Sequence, residues 1–265
     1  MPFPDVKRVI YKKNTLNNVI CELRFPPILR IDTEVPSKFQ EKIIKHFPLY
    51  SEVKNTIQVS LPSNPLPLKI INPVFMGATN TRNHEFSNEN GSMKIILNRT
   101  YISLATSKYE RWENFVQTLQ LLLDALFEIY SPAFITRISL RYINIIDKDL
   151  LGLKDSEWKE LIQPEFLGLL SSDFRNSVRE FQSTYEINLK DNISKVRLLI
   201  WLLPILNSGK TNFMINSDFY CAQKLMQKES MEKLYFLHLR STRFIRKIIT
   251  DKLHIAMEPT DYEHN

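Results

Sequence analysis

Glycine is scarce in this chain, at five residues in 265. Glycine is the residue that enters φ > 0 backbone without penalty, so few left-handed turns and few glycine-rich phosphate cradles are expected. Cysteine is scarcer still. Cys21 and Cys221 stand alone in strand-like contexts, VICELRF and SDFYCAQ, with no CxxC or Cys/His cluster beside them. That excludes a zinc site by spacing and reads as two small buried hydrophobes in a reducing compartment. His46, His84, His238, His254 and His264 form no HxH or HExxH pair, and no GxSxG elbow is present. Ser208-Gly209-Lys210-Thr211 imitates the end of a P-loop, but Pro204 stands where that pattern needs glycine, and a strand follows where it needs a helix. No metal and no cofactor are expected.

Long hydrophobic runs are also missing. The most apolar stretch, 196–206 (VRLLIWLLPIL), falls short of the roughly 20 residues that cross a bilayer. The run LLLDALFEIY is interrupted by Asp124 and Glu128. The opening MPFPDVKRVIYKK lacks the apolar core of a signal peptide. These features predict a cytoplasmic protein with no membrane partner. Hydrophobic residues make up 43% of the chain and charged residues 24%, enough to build a core without staples. The net charge of +6 permits an acidic partner or nucleic acid.

The patterning predicts an α+β fold. Residues 19–25 (VICELRF) alternate as a strand. A helix over 34–46 follows, with Phe39, Ile43, Ile44 and Phe47 on one face. Strands are expected at 56–61, at 68–78 and in runs over 84–106, with a proline-rich loop at 62–67 and a tight turn at Asn98-Arg99-Thr100. The clearest helix spans 110–130, where Trp112, Phe115, Val116, Leu119, Leu122, Leu123, Leu126 and Phe127 make a wide apolar stripe. The second half predicts a strand over 134–146, a helix over 155–170 broken or kinked at Pro164, and strands at 182–190, 195–206 and 212–220. A long helix over 229–257 ends it. Asp147-Lys148-Asp149 and Asp191-Asn192 read as turns, and Asp218 as a cap leading into the last helix. The two halves share one element order. The chain is therefore expected to be a single compact unit of two similar β-α-β-β-β-α pseudo-repeats, about 15–131 and 132–258. Their sheets should be mostly antiparallel, with long helices packed on one face.

Alternation along the strands then defines the opposite face. Glu22 and Arg24 point away from Cys21, Leu23 and Phe25. Arg137 and Arg141 point away from Ile138, Leu140 and Tyr142. Glu186 joins them, with Lys195 and Arg197 leading to Leu199 and Trp201. A second basic feature lies on the last helix, where Arg240, Arg243 and Lys247 recur at i, i+3, i+7. Such a mixed but net basic surface suits an acidic protein segment, a single strand of RNA or DNA, or a phosphorylated small molecule clamped by Arg24, Arg137 and Arg141. Cross-strand pairing among these same charges is the plainer alternative.

Three segments carry a resemblance: Glu22-Leu23-Arg24-Phe25; Arg137-Ile138-Ser139-Leu140-Arg141-Tyr142-Ile143-Asn144; and Phe244 through Thr250. Together they resemble a sporadically distributed family of uncharacterised prokaryotic proteins with an E-[IV]-R-F strand, an R-[IL]-x-[LV]-R-[YF]-[IV]-N strand and a C-terminal F-x-x-x-[IF]-T helix. Leu23 departs from the usual Ile or Val, and the loop 79–92 is very polar. The resemblance implies a setting among mobile elements, phage defence or toxin–antitoxin modules, and it transfers no catalytic residue. The reading that results is a non-catalytic interaction protein. It engages a protein partner through Glu22, Arg24, Arg137, Arg141, Lys195, Arg197, Arg240, Arg243 and Lys247. The alternative is single-stranded nucleic acid on the basic sheet face.

Overall fold

The computed structural model describes residues 9–54, 82–205 and 209–261. The expected strands at 56–61 and 68–78 and the loop at 62–67 lie outside them. In chain order the elements are β1 (Val9–Tyr11), β2 (Leu16–Arg24), α1 (Arg30–Thr33), α2 (Ser37–Ile43), β3 (Leu49–Lys54), β4 (Arg82–Ser87), β5 (Met93–Asn98), β6 (Tyr101–Thr106) and α3 (Trp112–Tyr130). Then come β7 (Arg137–Ile146), β8 (Gln182–Asn188), β9 (Ser194–Pro204), β10 (Thr211–Cys221), α4 (Gln227–Ile248), α5 (Asp251–Ala256) and β11 (Pro259–Asp261). The fold is α+β with mostly antiparallel sheet, as the patterning requires. None of the described helices is long and apolar enough to cross a membrane.

The chain divides into two compact units. The first comprises 18–139 with 222–233. Its sheet runs β3-β4-β5-β6-β2, each neighbouring pair antiparallel. β5 and β6 are joined by the two-residue turn Arg99-Thr100. The Asn98 carboxamide oxygen accepts from the amides of Thr100 and Tyr101, which closes that turn. α3 supplies Trp112, Phe115, Leu119, Leu122, Leu123 and Leu126 to the core, the stripe its periodicity predicts. It stops at Ser131, held at φ 45° ahead of Pro132. The helix expected over 34–46 is shorter, α2 alone, and a separate one-turn helix, α1, precedes it. Val35 precedes Pro36, and a residue before proline avoids helical backbone, so α1 ends and α2 starts afresh after the proline.

The second unit comprises the described parts of 1–17, 140–221 and 234–265. Its strands run β7-β10-β9-β8, and β1 pairs with β11 in a separate ribbon. In both units the opening strand lies beside the last strand of the meander that follows it. Phe244 of α4 packs edge-on against Phe219 of β10, with ring centroids 5.6 Å apart.

The helix expected over 155–170 is absent. Three short 3₁₀ turns replace it, at Trp158–Glu160, Pro164–Phe166 and Gly168–Ser171, and a fourth follows at Arg175–Ser177. Pro164 supplies no amide donor, and Gly168 sits at φ +51°, so no helical ladder passes either residue. The long last helix breaks too. Ile249 bridges Ile162, the Thr250 N–H donates to the Leu161 carbonyl, and Thr250, in extended backbone, then caps α5 through its hydroxyl.

Candidate functional site

β2 is buried on both faces from Asn18 to Leu23, so its polar side chains leave solvent with it. Glu22 is 1% exposed. Its Oε1 accepts from Arg24 Nε at 2.6 Å and from Arg137 Nη1 at 3.2 Å. Its Oε2 is buried and takes no hydrogen bond from a described residue. Arg137 also donates to Ser139 Oγ at 2.8 Å. Thr136 N–H donates to the Arg24 carbonyl at 2.8 Å, which fixes the Arg137 backbone beside that strand. Two guanidiniums therefore converge on one carboxylate oxygen, and Arg24 keeps a third of its side chain in water. Burial, reinforced by Glu22, pushes the Tyr101 hydroxyl and the Cys21 thiol upward in pKa.

In the second unit Arg141 is buried, against the surface position expected from strand alternation. It lies 3.5 Å from Asp218 Oδ2, and both side chains are nearly inaccessible. The reason is that β7 and β10 are covered on both faces through their middles. Asp218 is thus no helix cap. It sits inside β10, in register with Arg197.

The exposed charge of this unit gathers farther out, on β8 and β9. Their register puts Glu186 opposite Arg197 and Asn188 opposite Lys195. Lys195 Nζ reaches Glu186 Oε1 at 2.9 Å, and Arg197 Nη2 reaches Oε2 at 3.3 Å. The Tyr220 hydroxyl donates to Oε2 at 2.9 Å. The Lys195 bond first, then the Tyr220 bond, hold the Glu186 carboxyl below the usual carboxylate range. Lys195 and Arg197 are 41% and 51% exposed. Two cations thus share one carboxylate on a solvent-facing strand pair. Leu199 and Trp201 follow on the same side, by the same alternation.

The helical cations are engaged within the chain. The Arg240 guanidinium lies over the Phe236 ring at 4.5 Å. Lys247 pairs with Glu165 at 2.8 Å, and Arg243 is half-buried and also in contact.

Sequence reasoning missed the tyrosine–histidine pairs. His84 is fully buried. Its Nε2–H donates to the Ile31 carbonyl at 3.0 Å, so Nδ1 is the acceptor for the Tyr50 hydroxyl, also at 3.0 Å. Burial holds its pKa below the ordinary histidine value. Tyr142 meets His238 Nδ1 at 2.9 Å, and Tyr11 meets His254 Nδ1 at 2.8 Å. No sequence spacing links these partners, because each pair joins elements distant along the chain. Among the described residues, no group of His, Cys, Asp and Glu gathers as a metal site would.

No family model matches this chain, and no curated protein matches it.

Proposed function

We propose that this protein is a non-catalytic binding protein whose basic strand face engages an acidic segment of a protein partner, in the cytoplasm and within a prokaryotic defence or toxin–antitoxin module. The observation that carries the reading is the Glu186 cluster. Lys195 and Arg197 are each about half exposed, yet already aligned by a shared carboxylate and a fixed strand register. An incoming carboxylate meets side chains whose conformational freedom is already reduced, which lowers the cost of ordering them. The cluster keeps one net positive charge, and the arginine supplies a planar fork suited to carboxylate.

One observation favours a second reading. Trp201 and Tyr220 share that face with the cations, and aromatic rings beside arginine are the means by which single-stranded RNA or DNA is stacked. A titration separates the two. Fluorescent poly-glutamate and an oligothymidine are each added to the wild-type chain and to K195E/R197E. Binding of poly-glutamate that the double variant abolishes supports the protein-partner reading. Tight, salt-steep binding of the oligothymidine alone replaces it with the nucleic-acid reading.

A further inference from the structure

β8 is the last strand of its sheet order, and no described strand pairs with its outer side. Five of its seven residues are exposed, and only Ser183 and Ile187 are half-buried. Natural edge strands are blunted by proline, bulges or lysine. β8 has none of these: its sequence is QSTYEIN, and its register against β9 is unbroken.

The hydrogen bonds at both ends of that register show which residues face outward. Leu189 N–H donates to Ser194 O, and Leu202 N–H donates to Phe181 O. Residues 181 and 189 are therefore hydrogen-bonded positions of the antiparallel ladder, and by alternation so are Ser183, Tyr185 and Ile187. The backbone groups of Gln182, Thr184, Glu186 and Asn188 point to the open side.

The segment from Arg179 to Asp191 is complementary to its own reverse. About Tyr185, Gln182 meets Asn188, Thr184 meets Glu186 and Phe181 meets Leu189. Just beyond the strand, Glu180 meets Lys190 and Arg179 meets Asp191. Both charged pairs are of opposite sign. Arg179, Glu180 and Lys190 are exposed, and no ion pair holds them among the described residues. A twofold through Glu186 instead sets two carboxylates against each other, and one through Thr184 sets Glu180 against Asn188 with no ion pair formed. Only the register centred on Tyr185 joins outward-facing Gln182, Thr184, Glu186 and Asn188 to one another while setting Glu180 against Lys190 and no two like charges against each other.

We propose that β8 pairs antiparallel with β8 of a second copy of this chain, across a twofold axis through Tyr185. Each β8–β9–β10 face is thereby continued into its mate, and each protomer's Glu186 cluster is repeated beyond the axis. The inference is independent of what binds that cluster.

Sedimentation velocity and light scattering over a concentration series test it. The wild-type chain is expected to populate a dimer. Thr184→Pro removes an outward N–H that β9 does not use, so it leaves the β8–β9 ladder and the Lys195–Arg197 face in place and abolishes the dimer. E180K sets like charges against Lys190 of the mate at two symmetric places. It is expected to weaken dimerisation about tenfold or more, and the swap E180K/K190E is expected to restore it. A wild-type chain that stays monomeric at hundred-micromolar concentration overturns the proposal. So does a dimer that T184P leaves intact with the fold unchanged by circular dichroism, or an E180K defect that the swap does not repair.

Discussion

Replacing Glu22 with glutamine removes the charge on which Arg24 and Arg137 converge while keeping the shape of the side chain. Breaking a buried ion pair from one side costs about 3–5 kcal/mol. Two features reduce that figure here. Arg24 is 34% exposed and is rehydrated easily, and glutamine still offers an oxygen acceptor. Arg137, at 17% exposed, recovers less. The expected net loss is about 2–3 kcal/mol. For a chain of this size that lowers Tm by roughly 5–10 °C. Denaturant unfolding followed by tryptophan fluorescence reads the loss directly, because Trp112 is buried in the same unit. The paired substitution E22L/R137M discards both charges and should cost less than the sum of its two single changes. A loss from E22Q below about 1 kcal/mol, or strict additivity in the pair, refutes the claim that this carboxylate organises the two arginines.

Acid should weaken the fold through His84. Its folded pKa lies below the unfolded value of about 6.5. The unfolded chain therefore takes up the proton first as pH falls. The stability this contributes is complete above that value and is lost as pH descends toward the folded pKa. His254, lowered by burial and by Arg246, acts in the same direction. Unfolding free energies at mildly acidic and neutral pH should show this decline, and H84Q should flatten part of it. Cys21 and Cys221 are both inaccessible, and burial raises the Cys21 thiol. A thiol reagent should therefore label neither in the native state and both in denaturant. Rapid native labelling of either cysteine contradicts this core placement.

Elements governed by one local rule were legible in the sequence. The stripe in 110–130 needed only helical periodicity, and α3 appears within two residues of it. The Asn98 turn followed from side-chain chemistry. The errors arose where a single residue outweighs a pattern. Pro36 delayed the start of one expected helix, Pro164 with Gly168 dissolved another, and the Ile249–Thr250 pairing with Leu161–Ile162 broke the last. Site residues were found by strand alternation, which assigns a side of the sheet but not burial. It correctly grouped Glu186 with Lys195 and Arg197. It also put Glu22 and Arg141 at the surface, although both lie in strands covered on both sides. The Tyr50–His84 and Tyr142–His238 contacts left no local trace, because their specificity comes from tertiary packing alone.

The central claim is that the Lys195–Arg197 face binds an acidic protein segment. Purification of the tagged chain from its native host, in parallel with K195E/R197E, tests it most directly, with mass spectrometry and the 260/280 absorbance ratio of each eluate. The account predicts a stoichiometric protein partner with the wild-type chain, no excess absorbance at 260 nm, and loss of that partner from the double variant. The same partner retained by both chains, or nucleic acid in place of any protein, contradicts it.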